Sequence, residues 1–211
     1  MSVMETINFA TRWAHVLFGI AWIGLLYYFN FIQGSYFKKA SAEALADAKK
    51  HLAPDALWWF RWAAMFTFLT GLMLLMGVTK LGLINDYTVL GVLLGTLMFL
   101  NVWLVIWPNQ KIALGLVDGD APVAAGKALL ASRTNTLFSA PMVCFMLAGP
   151  HLSGGYGYGW GSMAMWVCVL IIGLLEANAI VGKQGPMTSV RGVIGSSVLL
   201  TAVFVAVLKL L

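Results

Sequence analysis

The chain has 211 residues, of which 61% are hydrophobic and 10% charged, with nine Trp and a net charge of +5. Soluble domains run nearer half apolar and a quarter charged, so this composition excludes an ordinary globular protein, a disordered chain and a disulfide-stapled secreted fold. A mean hydropathy of +0.87 leaves a polytopic membrane protein.

Gaps between charged residues locate the spans in chain order. Between Arg12 and Lys38 lie 25 residues without Asp, Glu, Lys or Arg, between Arg61 and Lys80 there are 18, and between Asp86 and Lys111 there are 24. The gap from Arg133 to Glu176 is 42 residues and that from Arg191 to Lys209 is 17. The longest gap divides in two, because Gly149-Pro150 and the glycine-rich run Gly154 to Gly159 interrupt a helix. A helix needs about 20 apolar residues to cross a bilayer core. The spacing therefore predicts an all-α bundle of six transmembrane helices near 8–34, 58–79, 87–107, 134–150, 160–183 and 189–210, forming one domain. Barrel strands would alternate in short segments, and no such pattern is present.

Six spans place both termini on one side. Ten basic residues, Lys38, Lys39, Lys49, Lys50, Arg61, Lys111, Lys127, Arg133, Lys183 and Arg191, fall at the first, third and fifth connections, against Arg12, Lys80 and Lys209 on the other side. The positive-inside rule then puts those connections in the cytoplasm and both termini outside, in a bacterial inner membrane. Basic residues dispersed in this way form no groove for nucleic acid. Glu5 ahead of Arg12 and the long apolar run argue against a cleavable signal. The first connection, Lys38 to Leu57, reads as a short polar helix ended at Pro54. Asp118-Gly119-Asp120 reads as a turn without the further ligands of a calcium loop.

Cys144 and Cys168 stand alone in apolar spans and read as packed thiols, with no Cys-x-x-Cys or His-x-x-x-His pairing for a metal. His51 belongs to the first connection. His15 and His151 are different. Gln33 back to His15 is 18 residues, and Arg133 forward to His151 is also 18. At 1.5 Å per residue each lies roughly 27 Å above the inner boundary. Two imidazoles at one level are what a bis-histidine haem b requires. Gly19, one turn from His15, and Gly24 would admit a flat macrocycle, and Trp22 shares that face. The alternative is a pair of interfacial histidines satisfied by water or backbone. A second constellation lies about 10 Å inside the inner boundary, where Glu176 and Asn101 each stand seven residues from a span end. Asn30, Asn178, Arg61, Arg133 and Asn135 are near that level. A carboxylate there is protonated, paired or facing water. Either an Arg–Glu pair locks helices, or the group is a proton-transfer site serving a polar, quinone-type pocket. Gly91-x-x-x-Gly95 is a helix-packing signal, and Tyr156, Tyr158 and Trp160 fit an interfacial belt.

The stretches His15-Val-Leu-Phe-Gly-Ile-Ala-Trp-Ile-Gly24, Asn101-Val-Trp-Leu-Val-Ile-Trp-Pro-Asn-Gln-Lys111 and Ser132-Arg-Thr-Asn-Thr-Leu-Phe-Ser-Ala-Pro-Met142, with His151 beyond, resemble the N-terminal membrane domain of the membrane-bound urate oxidases. More remotely, the first helix is similar to the haem-b membrane protoporphyrinogen oxidases and to copper-resistance membrane proteins. The resemblance implies a redox membrane domain, with haem b on His15 and His151 and urate oxidation as a possible chemistry. In urate-oxidising members electrons pass to an attached cytochrome c. No Cys-x-x-Cys-His occurs in these 211 residues, so the expected acceptor is a separate periplasmic cytochrome c. The expected function is electron transfer between that cytochrome and a membrane substrate or quinone. The alternative is a non-catalytic accessory subunit of a larger membrane complex.

Overall fold

A computed structural model describes residues 2–152 and 160–211. The described residues contain six long helices and no strand. We label them α1 (Val3–Phe37), α2 (Ala42–Lys80), α3 (Asp86–Ala113), α4 (Ala121–His151), α5 (Met163–Val181) and α6 (Val190–Leu210). Five of them, all but α4, are long and apolar enough to cross a membrane. The protein is an all-α polytopic membrane bundle.

Local chemistry explains the boundaries. Ser2 and Glu5 form a reciprocal capping box at the start of α1, with Glu5 N–H donating to Ser2 Oγ at 3.2 Å and Ser2 N–H to Glu5 Oε2 at 2.7 Å. Ser162 and Ser189 accept from Met165 and Gly192 N–H and so start α5 and α6. Gly82 and Gly115, with φ of 65° and 73°, end α2 and α3. At each end the N–H beyond the glycine reaches back five residues, Leu83 to Val78 and Leu116 to Lys111, satisfying carbonyls the helix leaves open.

Several boundaries differ from the sequence expectation. Pro54 does not end the short polar helix. It is the second residue of the segment Ala53–Lys80, and a π turn over Ala48–Leu52 immediately before it joins the connector helix to the span. Arg133, expected in the third connection, is buried within α4, which begins as early as Ala121 because Asp120 Oδ1 accepts from Val123 N–H at 3.0 Å. Arg61 is likewise buried within α2. Gly149-Pro150, expected to interrupt the helix, lies inside α4, which runs through Pro141 and Pro150 to His151. The glycine-rich run 154–159 and the residues Tyr156 and Tyr158 lie outside the described residues, while Trp160 is exposed.

The chain forms two compact units, one of Met1–Leu74 and Phe99–Ser132, the other of Leu75–Met98 and Arg133–Leu211. In the first, α1 packs antiparallel to α2, since His15 meets Thr70, Phe18 meets Phe66 and Phe29 meets Phe60. The second half of α3 packs antiparallel to α2 through Phe68–Phe99 (4.2 Å between centroids), Trp62–Trp103 and Arg61–Trp107.

In the second unit, the Gly91-x-x-x-Gly95 signal marks a close helix approach. A Cβ at Gly91 would lie 3.3 Å from the backbone nitrogen of Met146, so the missing side chain lets α3 and α4 approach closely. Pro141 cannot donate to the Leu137 carbonyl one turn earlier. Ser197 of α6 takes over, its hydroxyl donating to Leu137 O at 2.8 Å, with Thr136 O at 3.2 Å. A freed carbonyl in an apolar span is thus satisfied from a neighbouring helix. Asn85 does the same at the end of α4, donating from Nδ2 to Gly149 O at 3.0 Å.

Candidate functional site

His15 sits on α1, half-buried against α2. Its Nδ1 lies 2.9 Å from the Thr67 carbonyl and 3.1 Å from Thr70 Oγ1. A carbonyl only accepts, so Nδ1 carries the proton. The Thr70 hydroxyl spends its own proton on Phe66 O at 2.6 Å, which leaves its oxygen free to share the Nδ1–H. The tautomer is therefore set: Nε2 keeps the lone pair. Gly71 holds the ring in place, because a Cβ there would be 3.1 Å from His15 Cε1. An N–H tied to a backbone carbonyl is the arrangement that orients metal-ligating histidines. The donor chemistry at His15 fits a residue that would hold a haem iron through Nε2.

The other residues expected around His15 have distinct settings. Gly19 faces α2, where a Cβ would find the Thr67 methyl at 3.9 Å, whereas Gly24 has open space beside it. Trp22 is buried on the same face and its Nε1–H meets no acceptor. His151 ends α4 with an exposed imidazole, accessible to a ligand. It belongs to the second unit, and His15 to the first. Among the described residues there is no group of three or more His, Cys, Asp or Glu side chains arranged to hold a metal ion. Cys144 and Cys168 are free thiols, the latter buried.

The inner polar level divides in the same way. In the first unit, Asn30 and Asn101 are both buried and both stand in π turns, Tyr28–Gln33 of α1 and Asn101–Ile106 of α3. Such turns concentrate at functional sites. Asn30 Nδ2 donates to Leu26 O at 2.9 Å and to Ser132 Oγ at 2.8 Å, while its Oδ1 is buried with no donor in reach. The Arg61 guanidinium lies 3.3 Å above the centre of the Trp107 ring.

In the second unit, Asn135 Nδ2 donates to Met98 O at 2.9 Å, and Arg133 is buried beside it. Arg61 and Arg133 are both buried inside helices. Glu176 is half-buried on α5. Asn178, expected at the polar level, instead closes α5. Its side chain accepts from Lys183 N–H and donates to Lys183 O.

Sequence reasoning missed Thr67, Thr70 and Gly71. The available signal was two threonines and a glycine within one turn of an otherwise apolar helix, at the depth of His15.

The described residues thus form an all-α polytopic membrane protein with one oriented histidine on its first long helix. The comparison with known families is specific: residues 1–51 and 78–207 match the urate oxidase N-terminal family, and the chain belongs to that family. Thr67, Thr70, Gly71 and Arg61 fall in the intervening stretch, outside the matched residues. No curated protein and no solved structure matches the chain.

Proposed function

We propose that this protein is a membrane-embedded redox module whose His15 would hold haem b through Nε2, with His151 as the second ligand that the sequence suggests. The reading rests on one observation, the Nδ1–H of His15 committed to the Thr67 carbonyl, and on membership of a urate oxidase family. When bound, haem would supply one-electron transfer. This chain's residues do the rest: Thr67 and Thr70 hold the tautomer, Gly71 sets the ring plane, and the surrounding apolar helices exclude water. Glu176 is the group that exchanges protons, and Asn101 offers a polar contact to a quinone-type substrate. The electron partner is a separate periplasmic cytochrome c. The protein lies in the bacterial inner membrane with α4 as a sixth crossing and both termini outside, as the basic connections imply.

Protein purified with full haem supply should show Soret and α bands. His15→Ala and His151→Ala should each abolish or strongly shift them. Glu176→Gln should keep the spectrum and slow reduction by an added quinol. A colourless wild-type protein that co-purifies with a stoichiometric partner would favour an accessory subunit instead.

A further inference from the structure

Arg61 presents a charge problem that the redox reading does not use. Its side chain is 9% exposed and its Nη1 is sealed from the surface with no acceptor. It makes no ion pair among the described residues, and nor does Lys111. Both cations nevertheless converge on one indole. Arg61 Cζ is 3.3 Å and Lys111 Nζ 5.7 Å from the centre of the Trp107 ring, which puts the two charges within about 9 Å of each other. A ring quadrupole attracts each cation but does not cancel their mutual repulsion in an apolar setting. Buried charge of this kind calls for a counter-ion.

We propose that Arg61, Lys111 and Trp107 bind the phosphodiester headgroup of an anionic phospholipid. A planar guanidinium and a flexible ammonium together match a phosphate: the first offers paired donors, the second a mobile point charge. The surroundings favour a lipid over a free anion. Trp58 and Trp59, one turn before Arg61 on α2, are 48% and 63% exposed, as interfacial indoles are. Beyond them Phe66, Leu69 and Met73 continue an exposed apolar ridge along the same helix, a track for acyl chains. The headgroup end and the chain end of one lipid are thus both provided for on α2.

The proposal is independent of haem binding. Native mass spectrometry of the full-length protein in mild detergent, with phosphatidylglycerol and phosphatidylcholine added in equal amounts, reads it directly. Each cation near a membrane surface is worth about a fivefold preference, so phosphatidylglycerol should be retained at least about fivefold better. Lys111→Gln should cut that preference at least about threefold. Arg61→Lys, which keeps the charge and loses the planar stack on Trp107, should weaken retention less than Arg61→Gln. Equal retention of the two lipids by wild-type protein would overturn the proposal. So would an unchanged preference in folded Lys111→Gln. Displacement of phosphatidylglycerol by millimolar inorganic phosphate would show a free-anion site and overturn the lipid assignment.

Discussion

At the scale of single residues, the decisive feature is how one hydrogen bond limits an imidazole to one role. With Nδ1–H held by Thr67 O and shared with Thr70 Oγ1, only Nε2 of His15 can act as a ligand or base. Gly71→Ala would place a methyl 3.1 Å from Cε1 and turn the ring, so it is expected to lower haem content and shift the Soret band. Gly77→Ala on the same helix, where no atom lies within 4 Å, should leave both unchanged. Thr70→Val removes one of two acceptors and should cost about 0.5–1.5 kcal/mol by thermal unfolding in detergent, with the band retained. His15 itself was legible from sequence, since a lone histidine in an apolar span stands out. Its partners were not, because they lie 52 and 55 residues away on another helix, and composition carries no register between helices.

At the scale of elements, proline inside α4 shows why a residue that breaks soluble helices need not end a span. The Leu137 carbonyl that Pro141 leaves open is taken by Ser197 of α6. Ser197→Ala should therefore destabilise the protein by about 0.6–1.7 kcal/mol. In a Pro141→Ala background the restored N–H serves Leu137, and the same Ser197→Ala change should cost distinctly less. A double-mutant cycle on detergent-solubilised protein measures the difference, and equal costs in both backgrounds would contradict this pairing.

The six elements were readable from charge gaps, whereas their ends were not. Arg133 and Arg61 looked like loop residues because arginine in a span is rare, yet both are buried inside helices. The π turns at Asn30 and Asn101 have no sequence signature, since the inserted residue shifts the helical phase by about 100° and a span that is apolar nearly all round does not show the shift.

At the scale of the whole molecule, the scarcity of charge defines the class and its few basic residues suggest the orientation. With Arg61 and Arg133 buried inside helices, the bias rests on Lys38, Lys39, Lys49, Lys50, Lys111, Lys127, Lys183 and Arg191. If α4 crosses as a sixth span, cysteines introduced at Ser2 and Lys209 should react with an impermeant maleimide from the outside of intact cells. A cysteine at Lys49 should react only after permeabilisation. Labelling of residues 2 and 209 from opposite sides would reduce the crossings to an odd number.

The central claim is that His15 is a haem ligand, and an optical spectrum of the purified protein tests it most directly. The account predicts Soret and α bands at about one haem per chain that are lost in His15→Ala while the variant keeps its helical circular dichroism. A wild-type protein without these bands under full haem supply, or bands unchanged in His15→Ala, would contradict it.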